Sequence, residues 1–214
     1  MKERPIIFSG PMVRAILDGA KTQTRRVVKP QPPEYVRMDR GEEEWTCKVL
    51  GGYRKWFDKR WGWSIGADWG EQPWYDGPTC PYGVPGDRLW VRETFADIPA
   101  TAPGHMHYKA NATMADLAWF AEEGWKWTPS IFMPRWASRI TLEITGVRVE
   151  RVRDISEEDA RAEGIPDEYR AGHCIYYRPR FKTLWDSINA KRGFGWDSNP
   201  YVWVVEFKRV GADQ

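Results

Sequence analysis

The eight residues Gly19-Ala20-Lys21-Thr22-Gln23-Thr24-Arg25-Arg26 set an amine, two hydroxyls and two guanidiniums side by side. An amine close to a hydroxyl can serve as base to a nucleophile, provided the amine is neutral near pH 7. That requires burial or a cationic neighbour to lower a lysine by about 3 units from its reference near 10.4, and Arg25 and Arg26 are candidate neighbours. On composition alone the same octapeptide also reads as a solvated basic turn. Geometry adds a condition. Positions three apart on a regular strand face opposite ways, so Lys21 and Thr24 converge only if the chain is still turning after Gly19.

The elements that must position this segment are legible on either side of it. Pro5-Ile6-Ile7-Phe8 predicts a short strand. Ser9-Gly10-Pro11 then opens a helix whose apolar face is Met12, Val13, Ile16 and Leu17, and Gly19 stops it. The β-branched run Thr22–Val28, closed by Pro30, predicts the next strand. Arg88–Glu93 predicts a strand after the turn Pro85-Gly86-Asp87, and Met114–Glu122 a helix. Ile140, Leu142 and Ile144 alternate with Thr141, Glu143 and Thr145, a strand with one buried face, and Gly146 marks a bulge before Val147–Glu150. Ser156 and Asp159 resemble a capping box opening a helix over Glu157–Glu163, stopped by Gly164. Phe181, Leu184, Trp185 and Ile188 share a further helical face. Tyr201–Phe207, apolar on both sides at its start, predicts a central strand.

Composition narrows the function classes. The 214 residues carry 32 Lys plus Arg against 30 Asp plus Glu, a net +2, too little for a long phosphate-tracking surface. A site for one nucleoside or one flipped base works by stacking and edge hydrogen bonds and needs no such excess. No apolar run approaches the roughly 20 residues that span a bilayer, and Met1–Pro5 lacks the apolar core of a signal peptide. A cytoplasmic protein with no membrane partner is therefore expected. Cys47, Cys80 and Cys174 show no CxxC pair, and with His105, His107 and His173 they lack the spacing of a structural zinc site. Neither a metal nor a cofactor is expected.

The string Gly19, Lys21, Thr22, Thr24, Arg26 resembles the Gly-x-Lys-Thr-x-Thr-x-Arg signature of ASCH domains, members of the PUA-like superfamily. Pro85-Gly86-Asp87 before Leu89-Trp90-Val91, the Ser156–Gly164 helix and the Val204–Phe207 strand are similar to further family elements, in the same order. In layout the chain is most like long phage and prophage members. The resemblance implies an α+β fold built on a mainly antiparallel PUA-like β-barrel with flanking helices. It also implies one domain over residues 1–214, interrupted by irregular insertions near 31–82 and 99–134.

In compact family members that hydrolyse N4-acetylcytidine, the motif assigns a lysine as proton acceptor, a threonine as nucleophile and a glutamate as proton donor. Carried over, these are Lys21, Thr24 and Glu163. Arg26 or nearby backbone amides would hold the oxyanion, Thr22 would touch substrate, and Glu93 is a reserve acid or substrate contact, or else one half of a strand-end salt bridge. A carboxylate in a last helical turn gains only about 0.3–1 kcal/mol of pKa elevation from the macrodipole, under one unit. Burial must therefore do most of the work if Glu163 is to act as an acid; otherwise it is a solvated helix-end glutamate. The resemblance thus implies an amidohydrolase, a monomer acting on an N4-acylated cytosine or cytidine. The alternatives are a non-catalytic module that binds RNA or a modified base, and a phage accessory protein without a nucleotide ligand.

Trp45, Trp56, Trp61, Trp63, Trp69 and Trp74 crowd the first insertion, whose two ends flank the proposed site. Such a segment is expected to close over a flat base, or else to pack as a satellite cluster. Replacing residues 45–74 by a short Gly-Ser linker, in a variant shown to fold, tests this. A lid predicts that KM for the best substrate rises about tenfold or more, with kcat falling less. Unchanged kinetics would leave the segment as scaffolding.

Overall fold

In the computed structural model the described residues are 1–31, five short strands between residues 35 and 76, 79–98, 106–166 and 176–211. The N-terminal part runs β1 (Glu3–Ile7), α1 (Gly10–Leu17) and β2 (Gln23–Val27). Then come β3 (Tyr35–Arg40), β4 (Glu43–Lys48), β5 (Tyr53–Lys55), β6 (Trp61–Ser64) and β7 (Trp74–Asp76). The remainder is β8 (Arg88–Arg92), β9 (Phe95–Asp97), β10 (Met106–Tyr108), α2 (Met114–Glu122), β11 (Thr141–Arg151), α3 (Glu157–Ala162), α4 (Tyr177–Asn189) and β12 (Tyr201–Val210).

The main sheet has the order β1-β8-β11-β12-β2. Only β1 and β8 are parallel; the other three pairings are antiparallel. The fold is α+β and mostly antiparallel, but the sheet is open, which corrects the expectation of a closed β-barrel. Its edge strands β1 and β2 share no ladder. Instead Arg26 of β2 donates from Nη2 to the Ile7 carbonyl of β1 at 2.7 Å. Phe8, just past β1, is buried against Phe207, and α1 lays Val13 and Ile16 into the same core. Side chains, not backbone pairing, therefore close the seam.

β12 is central, as its two apolar faces predict. Trp203, Val205 and Phe207 join the core beneath α1 with Leu89, Leu142 and Ile144. Val202 and Val204, on the other face, pack with Ala160 of α3 and Phe181 and Trp185 of α4. Burying about three large apolar side chains per face, each worth roughly 1.5–3 kcal/mol, fixes the strand register. The bulge expected at Gly146 is present, since pairing with β12 shifts register between Ile144 and Gly146.

Two sequence expectations change in detail. The Ser156 hydroxyl accepts from the Asp159 N–H at 3.0 Å, but the Asp159 carboxylate turns away from the cap to Arg25 and Arg148. The capping box is only half formed because ion pairing claims its second half. The complete box is at Thr113 and Asp116, on α2. The first insertion contributes a two-stranded sheet, β3-β4, and a three-stranded sheet, β5-β6-β7. The placement of its tryptophan side chains, and so the lid expected of them, lies outside the described residues. No described helix is long and apolar enough to cross a membrane.

Gly164 ends α3 with φ +81°, and a Cβ there would stand 2.8 Å from Ala15 Cβ and 2.9 Å from Lys21 Cβ. Gly19 ends α1 with φ +73° but has open space around it. Gly19→Ala should therefore cost about 1–2 kcal/mol from left-handed strain alone. Gly164→Ala should cost roughly 2–4 kcal/mol, because overpacking adds to the strain. Equal losses in urea unfolding would show that the approach of α3 to Lys21 is not tight.

Candidate active site

The chain is still turning when it reaches Lys21. After Gly19, the Lys21 N–H bonds back to the Ala15 carbonyl and the Thr22 N–H to Ala162, each at 2.9 Å. Lys21 forms an isolated antiparallel bridge with Glu163 before β2 begins at Gln23. This backbone clasp holds residue 21 against the end of α3. Lys21 and Thr24 are both buried, while Thr22 between them is exposed.

The clasp continues through side chains. Lys21 Nζ donates to Glu163 Oε2 and to the Glu163 carbonyl, both at 2.7 Å. The Lys21 side chain is 0% exposed and that of Glu163 4%. Arg25 Nη1 reaches the other carboxylate oxygen, Oε1, at 3.2 Å. Arg25 is itself fully covered; its Nε and Nη2 grip Glu150 at 2.9 and 2.5 Å, and Nη2 also bonds Asp159 at 2.7 Å. Arg148 extends the network to Asp159 at 2.6 Å, to Glu150 at 3.2 Å and to Glu206. Every charge buried here has a hydrogen-bonded counter-charge, the condition under which burial is tolerated.

Burial pushes the Lys21 ammonium below its ordinary value. The charge and hydrogen bond of Glu163 oppose that shift, while the positive Arg26 and Arg25 add to it. Desolvation lifts Asp159, but Gln23, Arg25 and Arg148 outweigh it and hold the carboxyl below its ordinary value. Lys21 and Glu163 thus form a buried amine–carboxylate pair in which desolvation favours the neutral amine.

A cavity of about 320 Å³ lies between β2, β12 and α4, lined by Thr24, Arg26, Tyr82, Glu163, Phe181 and Trp203 among others. This is the lower end of ligand-pocket sizes, suited to one small ring system. Arg26 bonds the Ile7 carbonyl through Nη2, but its buried Nε has no partner among the described residues. A buried donor without an acceptor costs about 1–3 kcal/mol, and an acceptor bound in the cavity would relieve that.

Of the residues singled out in the sequence, Lys21 and Glu163 are brought into contact, and Thr24, Glu163 and Arg26 are brought to the lining of one cavity. Thr22 and Glu93 are not. Thr22 lines a separate groove beside Arg14, Asp18 and Arg161. Glu93 is buried but forked to Arg139 at 2.9 and 3.0 Å, and Arg139 in turn covers the Tyr108 ring. Among the described residues no group of three or more His, Cys, Asp and Glu is placed to hold a metal; Cys80 is a buried free thiol, and His105, His173 and Cys174 lie outside those residues. The sequence reading missed Glu150, Asp159 and Arg148 as partners. Their one signal was the charge on both sides of Val149, on a strand whose neighbour β12 is buried on both faces. The chain matches no protein-family model, no curated protein and no solved structure.

Glu163→Gln would leave Lys21 and Arg25 without their shared carboxylate. Removing one partner of a buried pair costs about 3–5 kcal/mol, and that loss is expected near pH 7. It also removes the influence that raises Lys21, so the folded-state pKa should fall further below the ordinary 10.5. Between that lowered value and 10.5 the unfolded chain binds more protons, so stability rises with pH there. The deficit relative to wild type should shrink from pH 7 to 10. A deficit constant over that range would exclude a charged Lys21 as its source.

Proposed function

We propose that the chain is an amidohydrolase that removes an acyl group from the exocyclic amine of an N4-acylated cytosine or cytidine. The observation that carries the reading is the fully buried Lys21 amine, 2.7 Å from the carboxylate of Glu163, which itself lines a cavity together with Thr24. The ASCH-like string supplies the reaction class; the site supplies groups of the right chemistry.

Proton transfer from Lys21 to Glu163 within the pair creates a neutral base and a protonated acid in one step. Lys21 then takes the Thr24 hydroxyl proton as Oγ1 attacks the acyl carbon. The carbonyl π electrons move to oxygen, and the free Nε–H of Arg26 suits that oxyanion. The C–N bond breaks as Glu163 gives its proton to the exocyclic nitrogen, releasing the amine and leaving an acyl ester on Thr24. Water, deprotonated by Glu163, hydrolyses the ester to a carboxylic acid, and the Lys21 proton returns to Thr24. Tyr82, Phe181 and Trp203 offer aromatic surface to a flat base. The same surface also suits a non-catalytic reader of a modified base in RNA, and turnover separates the two readings.

The test is a panel of N4-acylated cytosines, cytidines and deoxycytidines, with appearance of the free amine as readout. Lys21→Ala should retain less than about a tenth of wild-type kcat/KM, and Thr24→Ala should lose about 10³-fold or more. The wild-type rate should be bell-shaped in pH, because the active pair holds one proton, and both limbs belong to the pair. No turnover on any member, or a Thr24→Ala variant as fast as wild type, would defeat the reading.

A further inference from the structure

We infer that the mouth of this cavity holds a phosphate-monoester subsite, so that the preferred ligand is a nucleotide and not the bare nucleoside. The inference rests on the nucleobase reading of the cavity and extends it. Four cationic side chains line the cavity, Arg25, Arg26, Lys29 and Arg192, against a single carboxylate, Glu163. Glu163 is already taken by Lys21 and Arg25. Among the described residues no second carboxylate lines the cavity, so Arg26, Lys29 and Arg192 meet no other there. A chain whose 32 cations nearly balance 30 anions does not produce such an excess by general basicity.

The geometry suits one compact dianion beside a ring. Lys29 and Arg192 are exposed, and the Lys29 ammonium stands over the Phe194 ring at 5.2 Å, an aromatic surface that also lines the cavity. Thr24 and Glu163 are buried by contrast. The buried Thr24 and Glu163 and the exposed Lys29 and Arg192 thus lie on one cavity. A terminal phosphate carries about −1.5 to −2 charges at pH 7 and three strong acceptors, and the two exposed cations, with Arg26 beside them in the lining, suit one such group. They do not make a track for a polymer backbone, which needs a longer row of contacts.

The test is calorimetric binding of cytidine and of cytidine 5′-monophosphate at low ionic strength, a readout independent of turnover. The monophosphate should bind at least about tenfold more tightly, with the gap shrinking as salt rises. In Lys29→Ala/Arg192→Ala, whose changes are on exposed side chains, the gap should fall below about threefold, the expected loss of two charge-assisted contacts. Equal affinities in the wild type, or an undiminished gap in the double variant, overturn the subsite while leaving the deacylation assay unaffected. A trinucleotide with only diester phosphates that binds more tightly than the monophosphate overturns the monoester assignment. Failure of the acyl panel together with the expected binding gap would remove the reaction and keep the nucleotide site.

Discussion

The contact on which the arrangement turns is the buried pair between Lys21 and Glu163, 142 residues apart in the chain. Desolvating an ammonium and a carboxylate costs several kcal/mol each even after relaxation, so such a pair persists only if every remaining polar atom is served. Here the protein serves them with its own framework. The Glu163 carbonyl takes a second Lys21 donor, Arg25 takes the second carboxylate oxygen, and Glu150 and Asp159 hold Arg25. The segment entering β2, the end of α3 and the far half of β11 are thereby bound into one unit by charge, where apolar packing would have been cheaper. A buried ion pair is weak support for stability. Its conspicuous property is an amine that burial drives toward the neutral form.

That property depends on features with no chemistry of their own. Gly164 lets α3 end directly against the Lys21 stem, where no Cβ fits. The open edge of the sheet leaves Arg26 to span the seam with one side-chain hydrogen bond, and its Nε stays unspent. A closed backbone ladder between β1 and β2 would have used that edge for pairing. The correction from barrel to open sheet therefore bears on the cavity as well as on topology.

Local signals in the sequence were read correctly where one element fixes them. The α1 stop at Gly19, the two-faced β12, the bulge at Gly146 and α2 each follow from the period and punctuation of their own residues. Lys21, Thr24, Arg26 and Glu163 were named from the motif; the fold pairs Lys21 with Glu163 and lines one cavity with Thr24, Arg26 and Glu163. What the sequence concealed was partnership. Asp159 has the spacing of a capping residue and is spent on Arg25 and Arg148 instead. Glu93 has the type of a reserve acid but meets Arg139. Thr22 belongs to the same string as Thr24 yet lies on the exposed side, because strand geometry begins only after it. Pairings between side chains of different elements leave no periodic trace, so residue type was legible and charge assignment was not.

Arg25 shows how the network bears on direction of proton transfer. Were Glu163 held by Lys21 alone, moving the proton to the carboxylate would abolish the pair's attraction and leave two neutral buried groups. With Arg25 also on Oε1, the carboxylate keeps a cationic partner whichever way the Lys21 proton lies. At Lys21, burial favours the neutral amine. Glu150 and Asp159 draw on the same guanidinium, so its charge is shared among three carboxylates. A network that looks redundant as structure thus spreads the Arg25 charge and leaves less of it for any one partner.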